Sequence, residues 1–257
     1  SSVEVEFLIK PREVEAVWGQ TSFVYNGLEQ KPTATAQGAA SDGTLVLTVS
    51  GGQINASSAA YVATASTENT NYQIANATAE FTIAPKAVET VWGSAAFTYN
   101  GAEQKPAASA DGIPADGALT VTVSGGQKNA SASPYIATAS TPNTNYTLLS
   151  NTKEFTISPC EVAVEWGESD FTYNGYEQKP VAAAAGVGGD SILFLEVSGG
   201  QVNASTEPYT ATASTVNTNY TLTNATKQFT ISKKTVSVNW GATTAVYNGG
   251  IQNPTAI

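Results

Sequence analysis

Histidine and methionine are absent from the 257 residues, and cysteine occurs once, at Cys160. Without histidine there is no imidazole general base and no histidine-based metal site. A single cysteine forms neither an intrachain disulfide nor a CxxC zinc site. Cys160 therefore reads as a neutral variation, because Lys86 and Lys234 hold its place in neighbouring copies of the repeat described below. An exposed thiol for intermolecular pairing is the sharper alternative. Charged residues are scarce, at 12%, and they are unbalanced: 11 Lys and Arg stand against 21 Asp and Glu, a net charge of −10. That sign opposes binding to phosphate backbones and to anionic membrane surfaces, so nucleic acid is not an expected partner. No apolar run is long enough to span a bilayer, no signal peptide is recognisable, and no stretch combines helical period with capping residues.

What fills the chain is repetition. The stretch Tyr25-Asn26-Gly27-Leu28-Glu29-Gln30-Lys31-Pro32 returns at Tyr99 to Pro106 and at Tyr173 to Pro180. It returns again, altered, as Tyr247-Asn248-Gly249-Gly250-Ile251-Gln252-Asn253-Pro254, each tyrosine lying 74 residues after the last. A fixed period of this kind defines repeated modules and takes precedence over the length of the chain in setting domain number. The expected boundaries are a closing strand of a preceding module at 1–10, modules at 11–84, 85–158 and 159–232, and the start of a fourth at 233–257. The chain is accordingly expected to be an excerpt of a longer protein.

Within a module the pattern is that of strands. Val14, Ala16 and Trp18 alternate with exposed positions, as do Val88, Thr90 and Trp92, and Val162, Val164 and Trp166, which puts each Trp on a half-buried face. A row of exposed Trp side chains stacking on sugar rings is the functional alternative. Asn-Gly after Tyr25 marks a tight turn that pins the Tyr against its own module, and Pro32 marks a strand start or edge. Leu45, Leu47 and Val49 share an inner face, with Val46 and Thr48 outside. Phe194 occupies such an outer position in the third copy and is expected to be the most exposed large apolar side chain. Tyr61, Ala63 and Ala65 point inward, small residues matched to the Trp. Glu80-Phe81-Thr82-Ile83 closes the module, and the same slot at Glu6-Phe7-Leu8-Ile9 supplies the 1–10 reading. Turn residues about every ten positions favour an all-β array of small immunoglobulin-like sandwiches, with helix-poor β-grasp modules as the alternative.

The whole pattern, Phe-Thr-Tyr-Asn-Gly-x-Glu-Gln-Lys-Pro through Val-Ser-Gly-Gly-Gln-x-Asn-Ala to Asn-Thr-Asn-Tyr-Thr-Leu and Glu-Phe-Thr-Ile, resembles the MBG/YDG-type repeats of bacterial cell-surface proteins. That resemblance implies stalk or adhesin modules arrayed in tandem. The expected role is a structural segment of an extracellular, cell-surface protein: a rod-like spacer with no catalysis and no cofactor. Its partners would be neighbouring modules of the same chain, without membrane contact in this segment. Two alternatives stand beside it, a multivalent adhesive module holding glycan or host protein, and a segment of a self-assembling extracellular filament.

No catalytic, cofactor or metal residues are assigned. Glu29 with Lys31, repeated at Glu103/Lys105 and Glu177/Lys179, is an ion pair worth about 0 to 1 kcal/mol when exposed. An isopeptide bond from such a Lys to an Asn such as Asn55 needs a buried carboxylate, and no suitable one is evident. Calcium at Asp42, Asp116 and Asp190 lacks the six to eight oxygens that ion takes. Asn55-Ala56-Ser57 and Asn129-Ala130-Ser131 match a glycosylation pattern that chance explains in so Asn-rich a chain.

Overall fold

The computed structural model describes residues 4–257 and contains strands and turns, with no helix among the described residues. The first repeat shows the plan. Its strands are β1 (Arg12–Val14), β2 (Ala16–Trp18), β3 (Ser22–Val24), β4 (Ala34–Gln37), β5 (Thr44–Val46), β6 (Thr48–Ser50), β7 (Tyr61–Ser66), β8 (Tyr72–Ile74) and β9 (Thr78–Ala84). They form three small sheets, ordered β3-β9-β7-β6, β2-β4-β5 and β1-β8. Two of the pairings are parallel: β1 runs alongside β8 with Arg12 opposite Tyr72, and β3 alongside β9 with Phe23 opposite Ile83.

The predicted alternation places the core. Ala63, Phe81 and Ile83 are fully buried, as are Ala137, Phe155, Ile157 and Ala211, Phe229, Ile231 in the later repeats. Phe81 meets Phe23 edge-on at 6.0 Å and Tyr61 at 5.6 Å. Burying one such ring contributes about 1.5 to 3 kcal/mol. A second cluster gathers Val14, Ala16, Ala34, Ala36, Leu47, Ala65 and Tyr72. Trp18 and Val49 border both clusters. The Trp is half-buried, with its indole N–H donating to the Asn76 carbonyl at 3.3 Å, and Trp92 and Trp166 donate likewise to Ser150 and Asn224. The small alanines leave room for it: Trp18 pairs across the ladder with Ala34.

Several expectations are refined. The run from Val14 to Trp18 is two strands, because β1 pairs with β8 and β2 with β4, in different sheets. Pro32, Pro106 and Pro180 precede strands as expected, yet they are also fully buried. Phe194 is 85% exposed, but Phe7 at 87% and Tyr247 at 90% exceed it. Cys160 is half-buried on the strand Cys160–Ala163, paired with Tyr220–Thr223. Residues 4–10, expected as a closing strand, are exposed and carry no strand; positions 1–3 of that expectation lie outside the described residues. Each complete closing strand lies between the counterparts of β3 and β7, and among the described residues no strand pairs with residues 4–10. Residues 233–257 are largely exposed and form one bridge, Trp240 to Ala256, the counterpart of Trp18 and Ala34.

The chain gathers into two compact units. One is built from the segments through Phe97, Glu103–Gln127 and Ser133–Thr156, and the other from Thr98–Ala102, Lys128–Ala132 and Ile157–Ile257. The division cuts the second repeat, assigning its Tyr-Asn-Gly and Asn-Ala turns to the unit that holds the third.

Candidate functional site

The Tyr-Asn-Gly stretch is held locally as the sequence suggests. Leu28 N–H donates to Asn26 Oδ1 at 2.9 Å, and Gly27 takes φ = +80°, a value that favours glycine. Gln30 then bridges to Gln53, and Tyr25 N–H donates to the Ala84 carbonyl at 2.9 Å. The tyrosine side chain does more than the expectation gave it. Tyr25 shares a buried cluster with Ala63, Phe81 and Ile83 of its own repeat, and its ring, 6% exposed, also packs edge-on against Tyr146 of the second repeat at 5.4 Å and 77°.

Both tyrosine hydroxyls converge on one carboxylate. Tyr25 donates to Asp116 Oδ2 at 2.9 Å and Tyr146 donates to the same oxygen at 2.5 Å. Tyr146 in turn accepts from Ile113 N–H at 2.9 Å. Burial and the bond to Asp116 both push the Tyr146 hydroxyl pKa up. Tyr25 is raised chiefly by its bond to Asp116, then by burial. A second contact lies beside this one. The Asn145 side chain accepts from Ala56 N–H at 2.8 Å and donates to Asn55 Oδ1 at 3.0 Å. Gly27 completes the fit, since a Cβ there would stand 2.4 Å from Ile113 Cδ1.

The next joint repeats these contacts one period on. Tyr99, 3% exposed, meets Tyr220 at 5.4 Å and 78°. Tyr99 and Tyr220 donate to Asp190 Oδ2 at 2.7 and 3.1 Å, and Val187 N–H donates to the Tyr220 hydroxyl at 2.9 Å. Asn219 accepts from Ala130 N–H at 2.8 Å and donates to Asn129 Oδ1 at 3.2 Å. The bond to Asp190 is the largest cause that pushes the Tyr99 hydroxyl up to about 12, followed by burial. The same donations, from Tyr99 first and then Tyr220, hold the Asp190 carboxyl below its ordinary range.

These contacts account for positions to which sequence reasoning attached other chemistry. Asp116 and Asp190, weighed as calcium ligands, accept tyrosine hydroxyls, and Asp42 accepts that of Tyr72. Among the described residues no three of His, Cys, Asp and Glu stand close enough together to share a metal ion. Asn55 and Asn129, weighed as glycan acceptors, bind the asparagine of the following repeat. Lys31, weighed for an isopeptide bond, pairs with Glu29 at 3.2 Å on the half-exposed surface, and Lys105 and Lys179 do likewise at 3.6 and 3.3 Å. Asn145 and Asn219 were not singled out as functional. Their signal in the sequence is the recurrent Asn-Thr-Asn-Tyr, in which the second Asn and the Tyr serve the same joint.

One other feature recurs on the surface. A groove beside Lys31 and Pro32 is lined by Phe23, Val46 and Val49, and a counterpart lies beside Lys179 and Pro180 with Phe194 and Val197. The side-chain oxygen of Gln30, which lines the first groove, is buried with no hydrogen-bond partner among the described residues; those of Gln104 and Gln178 share that state. Comparison with protein-family models and with curated proteins found no match.

Proposed function

We propose that this chain is a structural repeat segment, a stalk or fibre spacer, of an extracellular bacterial surface protein of the MBG/YDG type. Its modules, at 11–84, 85–158 and 159–232, are read as immunoglobulin-like sandwiches. The parallel pairing of β3 with the closing strand β9 supports that reading. So does the Tyr61 hydroxyl, which donates back to the Asn55 carbonyl at 2.9 Å at the start of β7, a tyrosine-corner arrangement. One observation carries the functional reading. The most developed polar cluster of each repeat, two tyrosines on one aspartate with an asparagine fork beside them, joins successive repeats. A spacer needs joints that resist bending, and a buried, hydrogen-bonded aromatic pair supplies resistance that a flexible linker does not.

Amide relaxation measured by NMR tests this reading: the repeats on either side of the Tyr25–Asp116 contact are expected to share one correlation time. Independent tumbling of those repeats would remove the spacer reading. The apolar groove beside Pro32, matched by one beside Pro180, favours a second reading, an adhesive module whose copies act with avidity. Saturable retention on a glycan array, abolished by filling the groove with Val46→Arg, would select it.

A further inference from the structure

The first and last segments of each complete repeat run side by side in the same direction. In the first repeat Arg12 lies opposite Tyr72 and Phe23 opposite Ile83, so one offset of 60 positions holds from end to end of the pairing. Arg12 N–H donates to the Asn71 carbonyl at 2.8 Å and Ala75 N–H to that of Val14 at 2.9 Å. Further along, Thr82 N–H donates to the Thr21 carbonyl at 2.8 Å and Tyr25 N–H to that of Ala84 at 2.9 Å. Between these two ladders side chains take over. Asn76 Oδ1 accepts from Ala16 N–H at 2.6 Å, Asn76 Nδ2 donates to the Ala16 carbonyl at 3.0 Å, and the Trp18 indole reaches the Asn76 carbonyl. In the second repeat Thr90 spans the same place, its hydroxyl and its N–H both donating to the Leu149 carbonyl at 2.8 and 3.2 Å. In the third, Val164 N–H donates to the Thr223 carbonyl at 3.0 Å. The chain passes from one pairing to the next without slack. Ala84 closes the first, Lys86 N–H opens the second by donating to the Asn145 carbonyl at 2.8 Å, and only Pro85 lies between. Around Pro159, Ser158 accepts from Tyr99 N–H and Cys160 N–H donates to Asn219, both at 2.8 Å.

We propose that each repeat is a load-bearing clamp that withstands tension drawn along the chain. Because the two segments are parallel, the chain enters at Arg12, at one end of the pairing, and leaves after Ala84, at the other. Tension therefore slides the segments past each other along their length. The ladder bonds lie across that direction, so they are strained together and must fail together. Antiparallel terminal segments would place entry and exit at one end, and their bonds would open singly. The exit segment is held on its second side as well, since β9 also pairs with β7, Tyr61 opposite Phe81. Phe81 and Ile83 on that strand are fully buried, so sliding it also draws two apolar side chains out of the core. Trp18 and Asn76 acquire a specific part in this clamp: they bond the two segments where the backbone ladder is interrupted. The proposal goes beyond the spacer reading, which concerns bending at the joints. Resistance to tension arises inside each repeat and persists with the joints open.

Single-molecule force spectroscopy of the 257-residue chain tests it in two pulling directions. In one the chain is pulled from its two ends. In the other it is pulled between Thr48→Cys and Ser66→Cys in a Cys160→Ser background. Thr48 and Ser66 are exposed and face each other across the open end of the β6–β7 pairing, so force between them unzips that ladder. Rupture under force reports the unfolding barrier along the direction pulled. End-to-end pulling should give evenly spaced events, each releasing roughly 250 Å of extended chain per 74-residue repeat less its folded length. Their force should be several times the unzipping force at the same loading rate. Asn76→Ala should lower one of these events and leave the others unchanged; if that variant does not fold, the two pulling directions still decide. End-to-end rupture at or below the unzipping force overturns the proposal, as does a folded Asn76→Ala chain whose events match wild type. Weak end-to-end rupture in a chain whose repeats flanking Tyr25 tumble as one removes the clamp and leaves the spacer reading standing. Strong rupture with independent tumbling does the reverse.

Discussion

Tyr25 makes two separable contributions to the first joint, and two substitutions divide them. Tyr25→Phe keeps the buried ring and its edge-on contact with Tyr146 and removes only the 2.9 Å donation to Asp116. Asp116 is exposed and keeps the Tyr146 hydroxyl, so no buried acceptor is orphaned and the expected cost is about 1 kcal/mol. Tyr25→Ala also removes the ring from a site where it is 6% exposed, at an expected cost of about 3 to 5 kcal/mol, of which the aromatic pair is about 0.5 to 1.5. Urea unfolding followed by tryptophan fluorescence measures both, since Trp18 and Trp92 lie in the two flanking repeats. Amide exchange at Ala56 gives a local reading, because its N–H is covered by Asn145 only while the joint is closed. The third repeat provides the control: Tyr173→Phe in dilute solution should change stability by less than about 0.5 kcal/mol. A double-mutant cycle of Tyr25→Phe with Asp116→Ala should show coupling of at least about 0.5 kcal/mol. Equal effects at Tyr25 and Tyr173, or strict additivity in the cycle, would refute the assignment of this tyrosine to the joint.

Two further outcomes follow from the same contacts. Gly27 and Gly175 share a left-handed backbone, at φ = +80° and +86°, so alanine strains both by about 1 to 2 kcal/mol. Only at Gly27 must Ile113 also move aside, so Gly27→Ala should cost more than Gly175→Ala in thermal unfolding; equal losses would show that the turn is not pressed on its neighbour. The second joint should also have a pH window. Tyr99 contributes fully below the ordinary tyrosine value of 10.0 and loses that contribution as pH rises toward about 12. Asp190, held low, contributes above the ordinary carboxylate value and loses that contribution as pH falls through its lowered one. Melting temperature against pH should therefore fall at both extremes, and Tyr99→Phe should reduce the alkaline fall, the remainder coming from Tyr25, Tyr146 and Tyr220, whose hydroxyls are raised as well; superimposable profiles for the two proteins would contradict this.

Much of each repeat was legible because alternation reports burial directly. Leu45, Leu47 and Val49 face inward, Tyr61, Ala63 and Ala65 do the same, and Val46 and Thr48 face out. The β8 strand escaped notice: Tyr72–Ile74 is three residues long, too short to display a period, and its partner β1 is 60 positions away. The division at Glu15 escaped for a related reason. Val14, Ala16 and Trp18 keep one face inward throughout, so the change of hydrogen-bond partner from β8 to β4 leaves no mark on the pattern.

The joint was illegible for a deeper reason, the symmetry of the repeat itself. Every residue type at Asp116 also stands at Asp42, so a contact from Tyr25 to an aspartate could span 17 residues within the repeat or 91 into the next. Likewise Asn55 could meet Asn71 or Asn145. A repeated sequence cannot distinguish the two, because translation by one period maps each candidate pair onto the other. The third repeat breaks the tie. Its Tyr173 and Asp190 are both present, yet Asp190 accepts from Tyr99 of the preceding repeat and Tyr173 is left 40% exposed. Had the contact been internal to the repeat, Tyr173 would be as buried as Tyr25 and Tyr99. The unequal burial of three tyrosines in one motif is thus what turns a recurring turn into a joint.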